Sequence, residues 1–216
     1  MINKKVKDTY IIPFLFIITS FILNALTKGT ILGFCTLTFA FLSGWFAATQ
    51  KWYNYLFGGI FTLLNAYVSW EANLYGIAIL SCVLYFPLQV QGLFEWYFKR
   101  NKDNTVTTKS FDKKTSVLII ISCFAGSIAL GLLLSRIPHQ QLAFLDSTSN
   151  IINICSIILM NLRFKECFWI LLGNNVADLA IWIINFIMKL PNSSTMLIVS
   201  IVMLILNLIA LKKWNK

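Results

Sequence analysis

The 216-residue chain is 58% hydrophobic and only 12% charged, with a mean hydropathy of +0.75, far from the roughly 25% charged of a soluble domain. That balance excludes a soluble globular enzyme and leaves a polytopic, all-α membrane protein. The net charge of +10 does not signal nucleic acid, because the Lys and Arg residues sit in short breaks between apolar runs and no nucleic-acid module accompanies them.

Apolar runs of about 17–25 residues match the hydrocarbon core of a bilayer. Eight follow in chain order: 10–26, 29–49, 52–69, 74–98, 115–135, 142–162, 166–188 and 194–211. The first stands behind Lys4, Lys5 and Lys7 and resembles the start of a signal peptide. It lacks a convincing small-residue cleavage site and seven spans follow, so it is expected to remain as an anchored helix.

Eight spans divide the basic residues unevenly. One side takes Lys4, Lys5, Lys7, Lys51, Lys99, Arg100, Lys102, Lys109, Lys113, Lys114, Arg163, Lys165, Lys212, Lys213 and Lys216, and the other only Lys28, Arg136 and Lys189. The positive-inside rule then places both termini in the cytoplasm.

A weak internal repeat is also present. Leu88–Trp96 reads LQVQGLFEW and Leu206–Trp214 reads LNLIALKKW, each with a side-chain amide seven residues before a Trp and a small residue, Gly92 or Ala210, between. Spans 2–4 and 6–8 would form two three-helix bundles in parallel orientation, joined by span 5. The expected organisation is 1–28, tail and extra helix; 29–98, first bundle; 99–141, loop and linking helix; and 142–216, second bundle and tail.

The stretch Trp169–Trp182, WILLGNNVADLAIW, places Asn174, Asn175 and Asp178 inside an apolar helix, where a central charge costs about 2.5–3.5 kcal/mol. Asn175, Asp178 and Trp182 share one helical face at i, i+3 and i+7, with Asn174 one step round. Such a face offers a carboxylate and amides for hydroxyls and an indole for a ring. The competing reading is interhelical hydrogen bonding, worth about 0.6 kcal/mol on average. On span 4, Tyr85 and Gln89 share a face with Trp96, itself a candidate for the interfacial aromatic belt. At 1.5 Å per residue, Gln89 and Asn175 both lie ~14 Å from the basic side, and Asn65 and Asp178 both lie ~18–20 Å from it. Polar groups of the two bundles thus converge near the midplane, where repeat transporters hold their substrate. Asp146 and Glu95 stand near span ends and read as structural.

Nothing points to a metal or cofactor. Cys35, Cys82, Cys123, Cys155 and Cys167 have no CxxC or Cys/His spacing, and His139 is the only histidine, so neither a metal set nor a nucleophile with its base is in view.

Over residues 29–214 the chain resembles the PnuC family of vitamin transporters, through YLFGGIFTLLNAYVSW (Tyr55–Trp70), LYGIAILSCVLYFPLQVQGLFEW (Leu74–Trp96), the Asp146-Ser147 pair, and ILMNLRFKECFW leading into span 7. The family pattern has a Trp four residues before an Asn. Here Asn175 is in place, position 171 is Leu, and Trp169 stands nearby. The resemblance implies a SWEET-like fold and homotrimeric assembly in a bacterial plasma membrane. It also implies uptake of nicotinamide riboside by facilitated diffusion, feeding NAD biosynthesis. Gln89, Asn175 and Asp178 would hold ribose or amide groups, with Trp169 or Trp182 against the ring and Asn174, Tyr85 and Asn65 completing the site. Alternatives are a deoxynucleoside, thiamine, or a role as the binding subunit of an energised importer.

Overall fold

The structure, a computed structural model, describes residues 7–214 apart from the side chains of Lys7, Asp8 and Lys113. Lys4, Lys5 and Lys216, counted in the charge division, lie outside the described residues. Within them the chain forms eight long helical spans: α1 (Ile12–Leu26), α2 (Ile31–Ala48), α3 (Tyr53–Glu71), α4 (Tyr75–Phe98), α5 (Lys113–Leu134), α6 (Ala143–Asn161), α7 (Cys167–Ile187) and α8 (Ser193–Trp214). A π-helical turn at Lys7–Ile11 leads into α1, and another at Ser81–Tyr85 interrupts α4. Seven spans are long and apolar enough to cross a bilayer. The remaining one, α3, has 19 residues and is less apolar because its buried face carries Asn54, Thr62 and Ser69.

Six helices close a ring in the order α2, α3, α4, α6, α7, α8 and back to α2. The first three and the last three are the two bundles, meeting along α4 against α6 and α8 against α2. Helix α1 packs on α2 and α5 packs on α6, so each bundle carries a preceding helix on its first member. Both outer helices turn most of their apolar side chains outward, Phe14, Ile18 and Phe21 from α1 and Leu118, Ile121 and Phe124 from α5, as a lipid-facing surface requires.

The repeat is written into the helix ends. Helix α2 stops at left-handed Gln50, with Lys51 N–H donating to the Phe46 carbonyl at 2.8 Å; α6 stops at left-handed Arg163, with Phe164 N–H donating to the Leu159 carbonyl at 2.9 Å. These are the same Schellman turn, which satisfies the last carbonyls of a helix. The ends of α3 and α7 match likewise through left-handed Asn73 and Lys189. Across the ring, the Trp96 indole donates to the Met160 carbonyl at the end of α6 and the Trp214 indole donates to the Ala47 carbonyl at the end of α2, each at 3.1 Å. A pseudo-two-fold along the helix direction relates the pairs.

One face of the ring carries Lys51, Lys99, Arg163, Lys165, Lys212 and Lys213 at its turns and helix ends and is called the basic face here. The segment between α4 and α5 crosses it as a strap. Single bridges pair Lys51 with Thr105 and Lys109 with Phe164, tying the α2–α3 turn to the α6–α7 turn, and Val106 is buried among Tyr55, Trp96, Phe168 and Trp214. Towards the opposite face a second apolar cluster forms around Leu37, Phe41, Leu74, Ile181 and Val199.

Candidate functional site

Between these two clusters lies a polar cavity of about 110 Å³. Helix α3 contributes Phe61 and Asn65, and α4 contributes Ile77 and Tyr85. Ser149, Asn150 and Asn153 come from α6, while α7 supplies Leu171, Asn174, Asn175, Asp178 and Trp182. Helix α8 closes it with Met196, Val199, Ser200 and Met203. Helix α2, whose place in the first bundle corresponds to that of α6, presents Leu37, Ala40 and Phe41 to the core instead. The cavity is therefore polar mainly on the side of the second bundle.

Asp178 stands at the centre of a hydrogen-bond cluster. The Ser149 hydroxyl reaches both Asp178 Oδ1 and Asn174 Oδ1, the latter at 3.1 Å. Asn174 Nδ2 donates to Asp178 Oδ2 at 2.9 Å. An ionised carboxylate accepts about four hydrogen bonds, so this one retains capacity for donors from a ligand. Asn175 Nδ2 makes only a long contact, 3.5 Å, to the Met203 carbonyl. Asn65 Oδ1 is buried without a hydrogen-bond partner among the described residues, which leaves its lone pairs open. Among the described residues no Lys, Arg or His lines the cavity, and Asp178 is the one acidic side chain there.

A second chain of bonds fixes the wall formed by α4. The Tyr85 hydroxyl donates to Asn150, and Asn150 Nδ2 donates to Asp146 Oδ1 at 2.7 Å. Asp146, fully buried, accepts the Gly76 and Ile77 main-chain N–H groups, both at 3.1 Å, and the Gln140 side-chain amide at 2.6 Å. A carboxylate on free N–H groups at a helix start caps it and meets the positive end of its dipole. Asp146 thus holds the start of α4 against α6, a structural role.

Of the residues expected from sequence, Asn65, Tyr85, Asn174, Asn175, Asp178 and Trp182 are brought together. Trp169 is not. It lies nine residues before Asp178, half a turn round α7, and is 60% exposed. Its indole lines an outward-facing groove of about 520 Å³ between α5, α6 and α7, formed almost wholly of apolar side chains. Gln89 is also outside the cavity, although its depth matches. Its Oε1 turns toward α3, where a Cβ on Gly58 would stand only 3.0 Å away; the missing side chain at Gly58 makes the room. Leu171, one turn before Asn175, does line the cavity. The α6 wall was missed. Asp146, Ser149, Asn150 and Asn153 recur at i, i+3, i+4 and i+7, a polar helical stripe that sequence periodicity alone could have found.

The family model described as "Nicotinamide mononucleotide transporter" matches residues 30–216. A nicotinamide riboside transporter PnuC of Neisseria mucosa is 26% identical over 177 residues, covering 79% of this chain and 66% of its own. A nicotinamide riboside transporter PnuC of Haemophilus influenzae is 29% identical over 134 residues, 60% of this chain and 58% of its own. The matched region thus spans less than two thirds of the length of either curated relative. Among solved structures, the crystal structure of the vitamin B3 transporter PnuC is similar with a TM-score of 0.82 and 22% sequence identity, over 94% of this chain and 88% of that one; the likeness is one of fold.

Proposed function

The chain belongs to the nicotinamide mononucleotide transporter family, and from that premise we propose that it carries nicotinamide riboside across the bacterial plasma membrane by facilitated diffusion, with the polar cavity as its binding site. The family description names a mononucleotide and the curated relatives a riboside, and the two differ by a phosphate. The cavity favours the riboside: it holds Asp178 and no cationic side chain. A phosphate monoester carrying a charge of about −1.5 to −2 would meet a carboxylate in a low-dielectric site, whereas a cationic pyridinium is attracted to it.

In this reading Asp178, Asn174 and Asn175 take the ribose hydroxyls or the carboxamide, Asn65 Oδ1 accepts a further donor, and Tyr85 and Trp182 flank the ring. The cavity is smaller than the roughly 300 Å³ common for ligand sites, so loading requires its walls to part. Met196 and Met203 provide side chains that rearrange at low cost. The basic face is cytoplasmic by the positive-inside rule, and three copies assemble as a trimer, as the family resemblance implies. Leu171 in place of a Trp favours one variant of this reading, a related aromatic nucleoside or vitamin held with less stacking.

Titration calorimetry on the purified protein tests the choice of substrate. Nicotinamide riboside is expected to bind at least a hundredfold more tightly than its 5′-phosphate. Equal binding of the two would overturn the assignment.

A further inference from the structure

The half of the ring between the cavity and the basic face repeats one pattern on both bundles. On α4, Tyr85 lines the cavity, Gln89 follows one turn towards the basic face, and Trp96 follows two turns beyond that. On α8 the same steps are Met203, Asn207 and Trp214. The two amides share a property: Gln89 Oε1 and Asn207 Oδ1 are both buried without a hydrogen-bond partner among the described residues. Asn207 is only 3% exposed, and its amide orientation is fixed, because Nδ2 donates to the Phe168 carbonyl at 3.2 Å. Leaving a buried acceptor unpaired is costly, and the two symmetry-related helices carry one each at the same level.

Two turns beyond the amides, towards the basic face, stand aromatic rings. Trp96 and Trp214 stand 5.8 Å apart between centroids. Tyr55 from α3 sets its edge to Trp96 at 5.0 Å, and Phe168 from α7 sets its edge to Trp214 at 4.7 Å. Each indole N–H is tied to the first helix of the other bundle, at Met160 or Ala47. Neither Trp can swing aside while the bundles keep this arrangement, whereas a rocking of one bundle against the other breaks both bonds together.

Resting on the transport reading above, we propose that Trp96 and Trp214 form the inner gate and that Gln89 and Asn207 form a second, transient station for a hydroxyl-bearing substrate between the cavity and that gate. The unpaired oxygens are the acceptors the substrate's hydroxyl and amide donors meet once the cavity releases them. Closure is reinforced by the strap, which buries Val106 against the same rings.

The gate is testable without any substrate. Asn207→Cys, in protein whose five native cysteines are replaced by Ser or Ala, is exposed in oriented vesicles to a charged, membrane-impermeant maleimide on the basic face. Labelling is expected to be slow, and at least tenfold faster when Trp96 and Trp214 are both replaced by Ala. A milder pair, Trp96→Phe with Trp214→Phe, keeps the rings but removes both cross-bundle bonds; labelling should rise several-fold while the thermal transition persists. Labelling unchanged in folded variants, or faster from the opposite face, overturns the gate.

The station is tested by uptake and binding of labelled nicotinamide riboside. Gln89→Ala and Asn207→Ala should slow uptake at least fivefold with the dissociation constant held within twofold. A parallel loss of affinity, or no effect on uptake, overturns the station. If the riboside neither binds nor crosses in the unmodified protein, the transport reading fails and the station with it, while the labelling arm still decides the gate.

Discussion

In the proposed binding site, Asp178 is the residue on which the chemistry turns. Its carboxylate is held by Ser149 and Asn174 in a cavity lined by no cationic side chain among the described residues, and on the proposed reading it favours positive charge in the ligand. Replacing it by Asn keeps the size and removes that preference. Asp178→Asn is expected to weaken binding of cationic nicotinamide riboside by at least tenfold and that of a neutral deoxynucleoside by less than threefold, measured side by side by calorimetry. Equal losses for both would mean that the carboxylate serves packing and not charge selection. This residue, with Asn174 and Asn175, was legible in the sequence because a charge and two amides in an apolar span are costly wherever they stand. Trp169 was not placed correctly, since nearness in sequence to a polar cluster says nothing of the helix face. Counting by 100° per residue from Asp178 would have put it on the lipid side.

At the scale of the element, close contacts decide what each helix tolerates. Gly92 on α4 lies where a Cβ would stand 2.2 Å from Tyr55 Cε1 and 2.5 Å from Asn161 Oδ1. The ring and the buried amide would both have to move. Gly92→Ala is therefore expected to destabilise the folded protein by about 1–3 kcal/mol, the usual cost of overpacking, seen as a lower midpoint of thermal unfolding in detergent. An unchanged midpoint would contradict the close packing of α3 and α6 on α4. Asp146→Ala leaves the Gly76 and Ile77 N–H groups without their acceptor, while the Gln140 and Asn150 amides keep the Gln141 and Asp146 main-chain carbonyls; at about 1–3 kcal/mol per orphaned buried group, a loss of at least about 2 kcal/mol is expected, with Asp146→Asn losing less. The helices were readable in the sequence, each span found within a few residues, because length and hydropathy are local properties. The lateral order of the helices was not, and it is what separates Gln89 from the cavity: equal depth brought it level with Asn175, but the space beside Gly58 drew it towards α3.

At the scale of the whole molecule, the parallel repeat accounts for both closure and asymmetry. Matching Schellman turns, the reciprocal Trp96 and Trp214 bonds and the paired strap bridges treat the two bundles as equivalents. The cavity does not, since α6 supplies Ser149, Asn150 and Asn153 where α2 supplies apolar side chains. Of this, the sequence disclosed the repeat through an amide and a Trp seven residues apart, and the two Trp residues carry the cross-bundle bonds. If the chain carries nicotinamide riboside without a coupling ion, as proposed, transport follows the membrane potential: one positive charge gains about 2.3 kcal/mol per 100 mV, which is about a 50-fold concentration ratio. Dependence on a sodium or proton gradient would contradict facilitated diffusion.

Uptake of labelled nicotinamide riboside into liposomes containing this protein alone, under an imposed inside-negative potential of about 100 mV, tests the central claim most directly. The expected result is saturable accumulation that approaches about 50-fold, collapses with the potential, and falls at least tenfold in initial rate in Asp178→Asn. Absence of uptake, or uptake that Asp178→Asn leaves unchanged, would contradict it.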